Sequence, residues 1–248
     1  MSVLFRDYEE TFHSPGGRLI SLLELEEVLN LLGHPSKKLI LDVGTGTGRV
    51  ARHLLKFNND VVGVDISFDR LKLALKKAKK ELKQKADDYY VVVADGHHIP
   101  FKDGTFDEVL SIRTLKYLKD PNRGFFEIAR VLKQKGICVI ELSNIFGYEA
   151  LWLFLLKLFG MKNYYAQDMG SNYQLFDIFK VKKFLNSLNL IVVSKKGWHK
   201  IPTIFFIKCK SITILKILLC TEQVLQKFLP FFLFSRGMLI KFMNVRTH

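Results

Sequence analysis

What this 248-residue chain lacks narrows its identity first. Its three cysteines, Cys138, Cys209 and Cys220, lie far apart without CxxC or Cys/His spacing, which supports neither a disulfide framework nor a cysteine zinc site. There is no uninterrupted run of roughly 18 apolar residues, the length a bilayer-spanning helix needs. Lys216, Glu222, Gln223, Gln226 and Lys227 break up the apolar stretch near the C-terminus. The opening MSVLFRDYEE carries early acids in place of a basic start and a long apolar run, so no signal peptide is read there, and a reducing cytoplasm is expected. Acid is scarce: 24 Asp and Glu against 38 Lys and Arg leave a formal charge of +14. That surplus favours anionic partners but does not choose among nucleic acid, phosphorylated substrates and an acidic membrane leaflet. No internal repeat or low-complexity linker divides the chain, and 48% apolar residues suffice for one full core. A single domain spanning 1–248 is expected.

Along the chain, Leu19, Leu22, Leu23, Leu25, Val28, Leu29 and Leu32 recur at mostly three- and four-residue steps. Residues 18–32 therefore read as a helix, ended by Gly33 and Pro35. Strands and helices then alternate. KLILDV, DVVGVD, YYVVVAD, FDEVLSI and GICVIEL read as strands, with helices over about 50–57, 68–85 and 121–132 between them. Asp120 followed by Pro121 supplies an N-cap and an N1 proline in the expected order. This spacing predicts an α/β fold: an open, mostly parallel sheet with helices on both faces and a ligand crevice at the carboxyl ends of its strands. Residues 145–172 interrupt the alternation and read as a lid inserted over that crevice. Residues 177–188 form a further helix before the strand LIVVSKKGW, and 211–234 an amphipathic helix before the last strand, GMLIKFMNV.

The chemistry concentrates at the first turn. Gly44-Thr45-Gly46-Thr47-Gly48 directly follows a strand, and glycines there let bare backbone turn sharply and approach a ligand. Asp65 ends the second strand 21 residues after Gly44, where a carboxylate can accept hydrogen bonds from both hydroxyls of a ribose. Asp95 ends the third, where it can accept from an adenine amino group. A dinucleotide fingerprint, GxGxxG, would put its third glycine inside the helix, but counted from Gly44 that position is Arg49.

The segments LDVGTGTGR, GVDIS, ADGHHIPF, FDEVLSIRTLKYLKDP and EIARVLKQKGICVIEL together resemble the class I S-adenosylmethionine-dependent methyltransferases. The likeness is to the broad group that includes ubiquinone and menaquinone biosynthesis methyltransferases, and it covers roughly 18–142. It implies a Rossmann-like sheet of seven strands, closed by a final antiparallel strand, with a core over about 36–142, a lid over 145–172 and a C-terminal helix and strand over 211–245. It also implies S-adenosylmethionine as cofactor and S-adenosylhomocysteine as product; nothing in the sequence calls for a metal. By that likeness Gly44, Gly46, Thr47 and Gly48 surround the methionine part, Asp65 holds the ribose, Ile66 an adenine face, and Asp95 with Gly96 the adenine edge, with Asp42 and Thr45 also in the donor site. Ile112 and Arg113 pass beneath the donor, and Arg18, at the end of YEETFHSPGGR, approaches its carboxylate. Two departures stand out: Tyr117 replaces a histidine that many relatives carry, and KQKG replaces a proline-glycine-glycine turn before the fifth strand.

For a general base the candidates are His97, His98 and Tyr117, though adjacent loop histidines are usually solvated. His53 and His199 have weaker claims. Tyr148, Tyr164, Tyr165 and Tyr173 lie where phenols either line an acceptor pocket or pack in the core. The lysines over 72–85 suit a solvated face or RNA docking, but no N/D-PPY stretch follows the fourth strand, and Cys138, within a strand, is poorly placed as a nucleophile. A small-molecule or lipid-like acceptor is preferred, because the aromatic, apolar lid and C-terminal helix suggest a greasy pocket, with a donor-binding regulatory protein as the second reading and RNA modification as the third. The amphipathic region 211–234 and the stretch LWLFLLKLFG either contact a membrane interface, cover the acceptor side of the sheet, or build a dimer contact.

Overall fold

The computed structural model describes residues 14–158, 173–198, 209, 211–228 and 235–245. The sheet has seven strands: β1 (Leu39–Val43), β2 (Asp60–Asp65), β3 (Tyr89–Val93), β4 (Phe106–Ser111), β5 (Leu132–Ser143), β6 (Leu190–Trp198) and β7 (Gly237–Asn244). Their order is β3-β2-β1-β4-β5-β7-β6. Neighbours from β3 through β5 pair in parallel, and β7 runs antiparallel to both β5 and β6. The expected seven-stranded, mostly parallel sheet with its antiparallel closing strand is what forms.

Consecutive apolar residues of the strands serve opposite faces. Ile40, Val61, Leu110, Val139 and Leu239 pack on one side against α1 (Pro15–Leu32), α2 (Arg49–Leu55) and α3 (Phe68–Leu82). Leu41, Val62, Val109, Ile140 and Ile240 pack on the other, against α4 (Pro121–Val131) and α6 (Ile178–Ser187). Two further helices are described, α5 (Tyr148–Leu158) and α7 (Ile212–Phe228). No helix among the described residues is long and apolar enough to cross a membrane.

Several boundaries differ from the sequence reading. Helix α1 starts at Pro15 because the Ser14 hydroxyl accepts from the Gly17 N–H, making Ser14 the N-cap with proline behind it. Helix α3 stops at Leu82 and a 3-10 turn, Lys83–Asp88, follows. The KQKG segment makes no separate turn: β5 begins at Leu132, directly after α4, and absorbs the irregularity through Lys135 at φ 60° and a register shift opposite Phe106 and Glu108. Of the segment 145–172, expected to form a lid, residues 145–158 are described, including α5. Tyr164, Tyr165 and His199 lie outside the described residues.

The strand order reverses between β1 and β4, so the loops leaving these two strands splay apart and open a crevice at their carboxyl ends.

Candidate active site

The glycine loop leaves β1 into that crevice. Gly44 and Thr45 both donate to the Val64 carbonyl, at 2.8 and 3.0 Å, which ties the turn to the end of β2. Gly44 sits at φ 75°, and a Cβ there would lie 2.0 Å from the Thr114 hydroxyl oxygen, so only glycine fits against the loop after β4. Gly46, at φ 55°, differs: a Cβ there would have nothing nearer than the Gly44 carbonyl at 4.0 Å. Bare backbone therefore faces open space. Asp42 and Thr45 are buried behind the loop and brace it, the Thr45 hydroxyl donating to Asp42 at 2.8 Å and meeting the Tyr89 hydroxyl at 2.9 Å. Burial raises the Asp42 carboxyl to about 6, against the Thr45 hydrogen bond and the Arg49 charge, which lower it. The Thr47 carbonyl accepts from Arg52, and Gly48 caps α2 in the left-handed conformation.

Asp65 ends β2 with each carboxylate oxygen used once: Oδ2 accepts from the Gly46 N–H at 3.0 Å and Oδ1 from the Ser67 N–H at 2.9 Å. A carboxylate has about four lone-pair sites, so both oxygens keep accepting capacity. Next to it Ile66 is 73% exposed, a large apolar side chain mostly open to water. Carboxylate, bare amide backbone and uncovered apolar side chain suit a nucleoside, whose ribose needs acceptors and whose base needs an apolar face.

At the end of β3, Asp95 Oδ1 accepts from the His97 N–H at 2.9 Å and meets His97 Nδ1 at 2.5 Å, while His97 Nε2 accepts from the Asp120 N–H at 3.1 Å. An Nε2 that accepts leaves the proton on Nδ1, so His97 donates to Asp95 and both ring nitrogens are committed. Burial pushes the Asp95 carboxyl up, but the His97 hydrogen bonds outweigh it and hold it below the usual range. His97 is thus a bracket between Asp95 and the start of α4. His98 is exposed, and Gly96 is half-buried between them. The rest of this loop is clamped from α4: buried Glu127 accepts from the Ile99 N–H, and Arg130 donates to the Ile99 and Phe101 carbonyls and to Glu127.

Helix α1 closes the near edge. Fully buried Glu24 accepts at Oε2 from Arg49 Nη2 at 2.7 Å and from Arg113 Nη2 at 3.0 Å, and its Oε1 forms an ion pair with Arg113 Nε at 2.9 Å. One carboxylate therefore joins α1, the first residue after the glycine loop, and the end of β4. Arg113 pays for this with φ 61°, a left-handed conformation costly for a residue bearing a side chain. Ile112 beside it is buried in the core under α1 and α2. Arg18, by contrast, is exposed on the first turn of α1. Sequence reasoning found Arg113 and passed over Glu24, although the acid falls at the four-residue step between Ile20 and Val28, on a face otherwise apolar.

Residues 41–140 match a family of methyltransferase domains. The match places a methyltransferase domain over these residues. It is 33% identical over 147 residues to an uncharacterized protein of Methanocaldococcus jannaschii, covering 58% of this chain and 53% of that one. To a demethylmenaquinone methyltransferase of Thermotoga maritima it is 33% identical over 117 residues, 46% of this chain and 48% of the relative. It thus spans about half the length of these curated relatives. The fold matches a crystal structure of an S-adenosylmethionine-dependent methyltransferase, a possible histamine N-methyltransferase, from Thermotoga maritima. That match has a TM-score of 0.64 at 19% identity and covers 96% of this chain and 93% of the other.

Past the glycine loop, the carboxyl ends of β4 and β5 hold a second polar cluster. Lys116 and Glu141 are both buried, their charges 3.4 to 3.5 Å apart. The Lys116 ammonium also lies 5.7 Å from the Tyr117 ring centre and 5.8 Å from that of Tyr173, and the two rings are 5.8 Å apart. The Tyr173 hydroxyl donates to Ser143 at 2.7 Å, and Gln174 ties the segment to the Leu118 carbonyl. Sequence reasoning named Tyr117 and Tyr173 but missed Lys116, in the 3-10 turn Leu115–Tyr117 after β4, and Glu141, whose signal was a charge inside the apolar end of β5. Cys138 lies wholly buried in β5 and burial raises its thiol well above the ordinary value, which removes it as a nucleophile. His53 is turned into α2, against the Arg49 carbonyl, and burial lowers its ring.

Proposed function

We propose that this protein transfers the methyl group of S-adenosylmethionine to a small-molecule or lipid-like acceptor seated at the carboxyl ends of β4 and β5. The observation that carries the donor half is Asp65 beside Ile66 and Gly46: accepting oxygens, an uncovered apolar side chain and bare backbone at one sheet edge. Bound there, the donor supplies an electrophilic methyl on a sulfonium. Asp65 accepts from the ribose hydroxyls, Ile66 covers one adenine face, and Asp95, oriented by His97, meets the adenine edge with the Gly96 backbone. The backbone from Gly44 to Gly48 makes room for the methionine part, with Asp42 and Thr45 holding the turn rigid from behind. Arg49 and Arg113 bring positive charge to this edge, which suits the donor's own carboxylate, and Arg18 on α1 adds to it from the surface.

Methyl transfer is an in-line displacement, so alignment and exclusion of water are the main requirements of the protein. His97, with both ring nitrogens engaged, is a positioning residue; His98 and Tyr117 remain the groups that can take a proton from an acceptor. The aromatic pair Tyr117 and Tyr173 suits a flat or greasy acceptor, and the relative's name, demethylmenaquinone methyltransferase, points to the same class. To test this, the protein is incubated with methyl-labelled donor and fractionated cell extract, and products are followed by mass spectrometry. A gain of one methylene unit in the metabolite or lipid fraction supports the proposal. Label confined to RNA refutes the acceptor class, and tight product binding with no transfer to any fraction makes the protein a donor-binding regulator.

A further inference from the structure

Methyl transfer leaves the outer face of α7 (Ile212–Phe228) without a use. Its inner face leans on α1, with Leu215 packed on Ile20 and Leu218 and Leu219 beside them. Glu222, the only acid in this helix, is buried on that side. On the water side Ile214, Ile217, Val224 and Phe228 are each more than half exposed. With exposed Thr221 they follow steps of three, four, three and four residues, which places all five in one stripe. Lys216 and Lys227 are exposed beside the stripe, and no carboxylate of the helix is. In sequence the chain continues from Phe228 as LPFFLF, six residues without a charge.

Four large apolar side chains in one exposed row are more than scattered surface hydrophobicity, and such a patch marks a contact. Charge decides which contact. A second copy would bring another +14 and the same two lysines, with no acid on this face to meet them. An anionic bilayer offers both apolar depth and opposite charge.

We propose that α7 docks this protein on an anionic membrane surface. Ile214, Ile217, Val224 and Phe228 enter the boundary between headgroups and acyl chains, and Lys216 and Lys227 meet the lipid phosphates. This docking does not depend on methyl transfer. The helix lies in the plane of the surface and does not cross it.

The test is flotation of the full chain with phosphatidylcholine vesicles, with and without phosphatidylglycerol. Wild-type protein floats with the anionic vesicles only. The pair Ile217→Asp with Val224→Asp reduces partitioning at least tenfold, while product affinity and melting temperature stay at wild-type values because both side chains are already in water. Lys216→Gln and Lys227→Gln each weaken binding roughly fivefold, the equivalent of about 1 kcal/mol per cation near such a surface. Thr221→Phe completes the stripe and tightens it. Absence of flotation with anionic vesicles, flotation indifferent to the aspartate pair, or a wild-type dimer that the aspartate pair splits without any vesicle capture each overturns the proposal.

Discussion

Replacing Glu24 by glutamine should loosen the donor edge of the sheet more than any other single change outside the glycine loop. Its carboxylate is fully buried, accepts two charge-assisted hydrogen bonds of 2.7 and 3.0 Å from Arg49 and Arg113, and makes a further ion-pair contact of 2.9 Å with Arg113. Deleting one partner of a buried ion pair costs about 3–5 kcal/mol when the orphaned charge stays dry. Here the guanidinium side chains keep 16% and 13% exposure, so water recovers part of that loss, and glutamine retains one accepting oxygen. We therefore expect about 2 kcal/mol of lost stability. For a chain of this size that is a fall of roughly 4–8 °C in melting temperature. Arg113 adds a functional consequence. Its φ of 61° costs about 1–2 kcal/mol that the pairing with Glu24 offsets, so the freed backbone relaxes and the loop against Gly44 moves with it. The assay is a thermal melt together with calorimetric titration by S-adenosylhomocysteine, for Glu24→Gln, Arg113→Gln and the double variant. Both readouts should fall in each single variant, and the double should lose much less than the sum. Unchanged melting in Glu24→Gln, or strictly additive losses in the double, refutes the clamp.

Gly46→Ala should lower product affinity at least tenfold while costing only about 1 kcal/mol of stability, since its φ of 55° is mildly strained for alanine and nothing crowds the new methyl group; calorimetry and melting separate the two effects. Burial raises the Glu108 carboxyl to about 7 against the lowering charges of Lys38 and Lys241, with Asp107 raising it further. The folded state thus holds a proton that the unfolded chain releases near pH 4.5. The stabilisation is complete below that pH and is lost as pH rises through 7, by roughly 1–2 kcal/mol after allowance for solvent screening. Glu108→Gln should flatten this slope in urea melts taken from pH 5 to 8. Glu141→Leu alone should cost about 3–5 kcal/mol by stranding the Lys116 charge, whereas Lys116→Met combined with Glu141→Leu should recover most of it; equal losses in denaturant titrations of the two proteins would show that the pair does not act as a unit.

The strands and the donor loop were legible because their signals are local. Each β-strand is a short apolar run, and the glycine pattern, Asp65 and Asp95 follow their strands by fixed steps. The start of α1 was also written in the sequence, as Ser14 before Pro15, but apolar spacing alone began counting at Arg18. Lysines over 79–85 carry no stop signal, so the end of α3 was read three residues late; its chain reversal comes from Lys83 at φ 52°. What stayed hidden are partners distant in the chain. Glu24 meets Arg113 across 89 residues and Lys116 meets Glu141 across 25, and periodicity cannot say which side chains converge once a sheet has formed. His97 illustrates the same limit: its residue type suggested a base, and only the Asp120 N–H on its second nitrogen shows a bracket.

The most direct measurement is calorimetric titration of S-adenosylhomocysteine into wild-type protein and Asp65→Ala. Wild-type protein should bind one equivalent, and the variant, still folded by its melt, should show no measurable binding because the ribose has lost its acceptors. Equal affinity in the two proteins would contradict a nucleoside held at this edge.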